Sequence, residues 1–144
     1  MIDHIDGNTI CEADHLFATR LWQNNSKVHF DINAREDKKR LIYGGHIISL
    51  VRALSFNGLE NAQLIVGING GTHANPVFAE DTIYCWSEVL DKIDLNIRNI
   101  AALRLRSVGT KEKNHNMRLK SDDGKYLPTI VLDFDYWVLV PKEL

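Results

Sequence analysis

Two adjacent glycines, Gly44-Gly45, stand near the head of an apolar stretch, Leu41–Leu59 (LIYGGHIISLVRALSFNGL). If that stretch is a helix, the glycines leave its first N–H groups free, sterically approachable and at the positive end of the helix dipole. Such a place can receive a developing negative charge. The side chains that titrate near neutrality are histidines, with an ordinary pKa of ~6.5, and His29, His46 and His73 are the candidates. Their spacings match no metal-ligand signature. Gly70-Gly71 is not a phosphate loop, because no Lys-Ser/Thr follows it. Cys85 falls in a strand-like run and reads as core. Lys38-Lys39-Arg40 reads as a solvated face.

The elements that must position these groups follow from periodicity. In the apolar stretch Ile47, Ile48, Leu50, Val51, Ala53, Leu54 and Phe56 cover most of a helix's circumference. His46, Ser49 and Arg52 leave only a narrow polar stripe, so the helix is expected to be buried. Asn57-Gly58 supplies a stop, since glycine tolerates the left-handed conformation of a helix cap. Before it, Met1–Ile10 reads as an edge strand or extended arm. A helix is expected over Glu12–Gln23, with Ala13, Leu16, Phe17, Arg20 and Leu21 on its apolar face. Val28–Phe30 is a short extended link and Asn33–Arg40 a charged, exposed segment.

After Gly58 the period changes. Gln63–Gly70 is β-branched and extended, with a bulge or close approach at Gly70-Gly71. Pro76 and Glu80-Asp81 mark a turn. Thr82–Lys92 and Ile100–Thr110 read as long strands, and in the second Leu103 and Leu105 alternate with Arg104 and Arg106. Lys111–Pro128 reads as a long, exposed excursion turning at Asp122-Asp123-Gly124. Ile130–Val140 is the last strand, with Leu132, Phe134, Tyr136, Val138 and Val140 on one face and Asp133 and Asp135 on the other. Helices followed by strands predict an α+β fold with an antiparallel sheet. One buried helix predicts a sheet curled round it, and the sheet's edges favour pairing with a second copy.

Composition sets the bounds. The 144 residues suit one domain spanning 1–144; they are 44% hydrophobic and 25% charged, with a net charge of −2. That balance gives no reason to expect nucleic acid or a membrane surface as a partner. No apolar run approaches the ~20 residues needed to span a bilayer, and the acidic N-terminus carries no secretion-signal core. Two cysteines, Cys11 and Cys85, are too few for a disulfide framework, so a reduced, cytoplasmic setting is expected.

Three stretches of the chain resemble the MaoC-like dehydratases, the R-specific enoyl-CoA hydratases. Phe17–Asp31 (FATRLWQNNSKVHFD) resembles the segment in which an acidic residue precedes a His by five positions. Tyr43-Gly44-Gly45 resembles the His-Gly entry to a central helix, and Pro76–Thr82 (PVFAEDT) the turn Pro-Val-x-x-Gly-Asp-Thr. The phrases ATRLWQN, KVHFD, NPVFAEDTIYCWSEVLDK and VLDFDYWVL look more closely like the C-terminal half of mesaconyl-CoA (2-methylfumaryl-CoA) hydratases.

The resemblance implies a hot-dog fold, an antiparallel sheet wrapped around a central helix at about residues 44–58. It implies hydration or dehydration of a short, branched or carboxylated enoyl-CoA by metal-free acid/base chemistry, with no cofactor beyond the coenzyme A thioester. His29 is then the acid/base. Gly45, with Gly44, serves the thioester oxygen, and His46, His73 and Arg52 (or Arg20) are candidates to meet the substrate. The acid's position is Asn24, which cannot ionise. Either His29 makes both proton transfers while Asn24 orients the water, or another carboxylate enters, or the chain is a non-catalytic subunit. Lys38-Lys39-Arg40 is a candidate contact for coenzyme A phosphates. The similar enzymes carry two hot-dog units, so this one is expected to form a homodimer or higher homo-oligomer, or to pair with a separate hot-dog chain. A thioesterase is the other chemistry of this fold, but the central helix offers no carboxylate.

Overall fold

The computed structural model describes residues 1–62, 64–113 and 116–142. Gln63, read above as the start of a strand, lies outside the described residues. The elements are β1 (Ile2–Thr9), α1 (Glu12–Leu21), α2 (Gly44–Leu54), a kinked turn at Phe56–Leu59, β2 (Leu64–Thr72), β3 (Thr82–Ile97), β4 (Ile100–Thr110) and β5 (Ile130–Pro141). The strands form one antiparallel sheet in the order β1-β3-β4-β5-β2. The sheet curls against α2, which is the hot-dog architecture expected from the sequence.

Alternation decides which strand face meets the helix. On β5, Leu132, Phe134, Tyr136 and Val138 are buried. On the other face Asp135 pairs with Arg104 of β4 at 2.6 Å and Asp133 with Arg106 at 3.2 Å. From α2, Ile47, Val51 and Leu54 enter the same core. A Cβ on Gly109 of β4 would stand 2.8 Å from the Val51 side chain, so glycine there lets the helix sit close to the sheet. Gly70-Gly71 lies beside a register shift between Ile68 and Gly70, as its composition predicts.

Several expectations need correction. Helix α2 is not buried all round: Ser49 and Ala53 are exposed, and Phe56 just beyond it is 59% exposed. The sheet wraps only one side. The helix also ends at Leu54, earlier than expected, although Gly58 does adopt a φ of +94°. Asn57 leaves helical geometry because its carbonyl accepts a hydrogen bond from His4 Nδ1 at 2.6 Å. Helix α1 buries His15, Ala18 and Thr19, while Phe17 and Leu21 are 66% and 58% exposed. The excursion after β4 is not simply exposed. Its Met117, Leu119, Tyr126 and Leu127 pack on Trp86, Val108 and Ile130, making a second small core on the outer face of the sheet.

A chain of polar groups crosses the main core. Arg52 donates to Tyr136 Oη (2.9 Å), which contacts Ser107 Oγ (2.9 Å), then Ser87 Oγ (2.8 Å), then His4 Nε2 (2.9 Å). Its direction is fixed by its ends. A carbonyl only accepts, so His4 Nδ1 carries its proton toward Asn57. The neutral ring's Nε2 then accepts from Ser87, which accepts from Ser107, which accepts from Tyr136. Arg52, which can only donate, closes the other end, and it also donates to the Ala62 carbonyl at 2.8 Å. Every hydroxyl gives once and receives once.

Tyr136→Phe removes the link that receives Arg52 and supplies Ser107, and both are left short of a partner. A loss of ~1–3 kcal/mol in unfolding free energy is expected, read by urea denaturation. Burial lowers the His4 pKa below its ordinary 6.5, so the unfolded chain takes up the proton first. Stability is therefore fully present above pH ~6.5 and falls as the pH drops toward the folded value. Melting temperatures measured from pH 8 to pH 5 should decline over that window, and the decline should shrink in a His4→Gln variant.

Candidate active site

The site is built where three segments meet. The 3-10 turn Lys27–His29 presents His29. The extended residues 41–43 lead into α2, and residues 73–77 follow β2. Leu41 N–H donates to the Val28 carbonyl at 2.9 Å and Ile42 N–H to the Val77 carbonyl at 2.9 Å. Ala74 N–H reaches the Val131 carbonyl at 3.1 Å. Between them lies a cavity of about 520 Å³ lined by His29, Leu41–Gly45, Ile47, His73–Val77 and Val131.

His29 Nδ1 lies 2.7 Å from the Leu41 carbonyl. Since a carbonyl cannot donate, Nδ1 carries the proton and Nε2 keeps a lone pair in the neutral ring. The His29 ring meets Tyr43 edge-on, with centroids 5.8 Å apart. At the head of α2 the Tyr43 carbonyl accepts from His46 (2.9 Å) and Ile47 (3.3 Å). The N–H groups of Gly44 and Gly45 therefore precede the helix's hydrogen-bonded ladder. At both glycines a side chain would crowd a neighbouring ring. A Cβ on Gly44 would stand 2.4 Å from His73 Nε2, and one on Gly45 2.7 Å from the Tyr43 ring.

The cavity thus brings together His29, Gly44, Gly45 and His73. It does not include the other sequence candidates. Asn24 sits past the end of α1, where its Oδ1 accepts from Ser26 N–H at 2.9 Å and its own N–H reaches the Thr19 carbonyl at 2.8 Å. Its visible work is to fold the loop that delivers His29. His46 turns toward α1, with its ring 6.4 Å from that of His15. Burial lowers its pKa, partly offset by Asp14. Arg52 belongs to the polar chain in the core. In the basic run, Arg40 is engaged with Glu12 (2.6 Å) and the Phe30 carbonyl (3.0 Å), and Lys38 with Asn33 (3.1 Å). Lys39 and Arg35 flank the Phe78 ring, at 5.7 and 5.5 Å from its centroid. Phe78 adjoins the cavity-lining Val77.

Two residues went unnoticed in the sequence. Asn75 lines the cavity and donates to the carbonyls of Ile130 (2.7 Å) and Leu127 (3.0 Å), fastening residues 73–77 to the end of the excursion. His15 is buried behind His29, their centroids 6.3 Å apart. The spacing of His15, Ala18 and Thr19 was its signal, a small and polar helix face outranked by the larger apolar side chains beside it. Among the described residues no group of three or more His, Cys, Asp or Glu is arranged to hold a metal.

No family model matches the chain. It is 59% identical over 141 residues to the mesaconyl-CoA hydratase of Cereibacter sphaeroides, covering 98% of this chain and 41% of that protein. It is 53% identical over 146 residues to the β-methylmalyl-CoA dehydratase of Chloroflexus aurantiacus, covering 98% and 42%. The crystal structure of a MaoC domain protein dehydratase from Chloroflexus aurantiacus superposes with a TM-score of 0.94 at 51% identity, over 99% of this chain and 42% of that one. The chain therefore spans about two fifths of the length of the curated relatives it matches.

Replacing a first-turn glycine by alanine ordinarily favours a helix. Here Gly45→Ala must displace the Tyr43 ring, and an overpacking cost of ~1–3 kcal/mol is expected to win. The melting temperature should fall by several degrees. A rise would show that the ring yields freely.

Proposed function

Taking as premise that the chain is a hot-dog unit bearing the MaoC-like resemblance read in its sequence, we propose that it adds water to, or removes water from, the Cα=Cβ bond of a short, branched enoyl-CoA thioester of the mesaconyl-CoA kind. The names of its two curated relatives describe the unsaturated and hydrated sides of one such reaction. The observation that carries the reading is the 2.7 Å contact of His29 Nδ1 with the Leu41 carbonyl, in a cavity whose other wall is the head of α2.

His29 Nε2 takes a proton from water as the water oxygen bonds to Cβ. The π electrons move through Cα to the thioester oxygen, which the N–H groups of Gly45 and Gly44 hold as it gains charge. The imidazolium then protonates Cα and the carbonyl re-forms. The same proton is taken and returned, so one histidine suffices, and neither a metal nor a redox cofactor enters the balance. Asn24 serves as the brace of the His29 loop. His73, resting against Gly44, is the cavity's other imidazole and the group we assign to a substrate carboxylate, in place of Arg20 and Arg52. Of the basic run Lys38-Lys39-Arg40, Lys39 beside Phe78 is the group we assign to coenzyme A phosphates; Arg35, over the same ring, is paired with Asp37 at 2.7 Å. The two cysteines are unpaired, consistent with a reducing, cytoplasmic setting.

A second reading has its own support. The chain matches only two fifths of its relatives' length, and β2 is an edge strand with Leu64, Val66 and Ile68 exposed at 60%, 53% and 65%. A second hot-dog unit, from another copy or a separate chain, would cover that edge and the open side of α2. A thioesterase finds less support: Ser49 and Ser55 on and after the helix donate back to the carbonyls of Gly45 and Arg52.

The decisive assay follows loss of enoyl-thioester absorbance with the purified chain. Activity toward mesaconyl-CoA should exceed that toward crotonyl-CoA, and His29→Ala should lower it by ~10²–10⁴-fold. Equal rates on the two substrates would sink the branched-substrate assignment. Activity seen only after a second chain is added would establish the subunit reading, and release of free thiol would establish a thioesterase.

A further inference from the structure

His15 is fully buried, at 0% exposure, and neither ring nitrogen has a hydrogen-bond partner among the described residues. An unsatisfied buried polar atom costs ~1–3 kcal/mol, and an apolar ring of similar size would avoid that cost. Two more imidazoles stand beside His15. His29 stands at 6.3 Å between centroids with its plane turned 81°, and His46 at 6.4 Å with its plane turned 49°. The charged groups acting on it are Glu12 of its own helix and Arg40 of the segment before α2, which pair with each other at 2.6 Å.

We propose that His15 is a positioning residue for His29, turning an unprotonated ring nitrogen toward that imidazole while it holds the proton taken from water. The proposal rests on the reading of His29 as the base. It answers a specific deficit. The residue five positions before His29 is Asn24, which carries no charge and whose Oδ1 is occupied by Ser26. The imidazolium formed during the reaction must therefore be supported by neutral dipoles. The Leu41 carbonyl serves Nδ1–H, and His15 is the buried polar side chain whose ring meets that of His29 edge-on at 6.3 Å between centroids. Burial first, then the proximity of His46 and His29, pushes the His15 pKa down to about 4. Through the neutral range it thus retains one lone pair and adds no positive charge beside the base.

The test is a titration of the histidine Cε1–H resonances by NMR in the full chain, alongside the pH profile of kcat/KM. His15→Phe keeps a ring and removes both nitrogens. It should fold with an equal or higher melting temperature. The His29 midpoint and the acid limb of the profile should move down by about one pH unit, with kcat reduced about tenfold. His15→Gln, which restores an acceptor, should recover most of both changes. A His15→Phe protein whose His29 midpoint and acid limb are unmoved would overturn the proposal. If that variant does not fold, the unmodified chain decides. His15 should show no titration from pH 8 to pH 5, and a midpoint near 6.5 would overturn the proposal. A His29 midpoint that moves in His15→Phe while activity is indifferent to His29→Ala would reject the functional reading and leave the coupling of the two rings standing.

Discussion

The Leu41–Ile42 pair of peptide units is the constraint on which the site depends. The Leu41 carbonyl receives His29 Nδ1, its N–H is held by Val28, and the next N–H is held by Val77. Three segments far apart in sequence are fastened within two residues. Two residues further on, the chain enters α2. The position of His29 relative to the first N–H groups of the helix is therefore set by two backbone hydrogen bonds and by the imidazole's own bond to the Leu41 carbonyl. A backbone carbonyl also fixes the tautomer of His29 without contributing a charge that would itself have to be desolvated.

The far end of α2 is fixed by different means. Arg52, in its last turn, is where a cation is favoured by the helix dipole, and its donors run into the polar chain through Tyr136, Ser107, Ser87 and His4. That chain ties β5, β4, β3 and β1 to the end of the helix in one direction of donation. Between the two ends, Val51 packs over Gly109, where an added Cβ would stand 2.8 Å from its side chain. The first N–H groups at Gly44 and Gly45 are thus held in place by packing and by a satisfied polar network, and their orientation requires no reorganisation when charge develops nearby.

What the sequence disclosed was what depends on period and on glycine. The alternation of Leu103, Arg104, Leu105 and Arg106 fixed a strand and its faces, and the pair Gly44-Gly45 marked a helix start where other groups approach. What it concealed depends on neighbours supplied by the fold. Arg52 looked available to a substrate because Tyr136, 84 residues later, is invisible to any local pattern. Helix α1 was assigned its larger apolar face, yet the residues that turn inward are His15, Ala18 and Thr19, and His15 lies against two other imidazoles. Residues 117–127 looked merely polar because only a few apolar side chains, spaced irregularly, reach Trp86. The turn at Pro76–Thr82 was legible despite Glu80 standing where the resembling turn has glycine. Glu80 adopts a φ of 73°, a strain of ~1–3 kcal/mol sustained because Asp81 Oδ2 accepts from Phe78 N–H and pairs with Lys111.

On the proposed hydratase reading, Asn24 in the place of an acid changes how charge is managed rather than removing the chemistry. A carboxylate beside His29 would stabilise the imidazolium strongly but would also hold its proton, making its return to Cα harder. Neutral dipoles stabilise less and release more readily. The reaction neither gains nor loses a proton overall, so a base of intermediate strength that returns what it takes is sufficient. The requirement then moves from charge to geometry. The lone pair of His29 must face the cavity, the helix N–H groups must face the thioester oxygen, and the rings around His29 must not compete for the proton. Leu41 and the two glycines, at or just before the start of the central helix, and His15, kept unprotonated by its burial on the first helix, meet those three conditions.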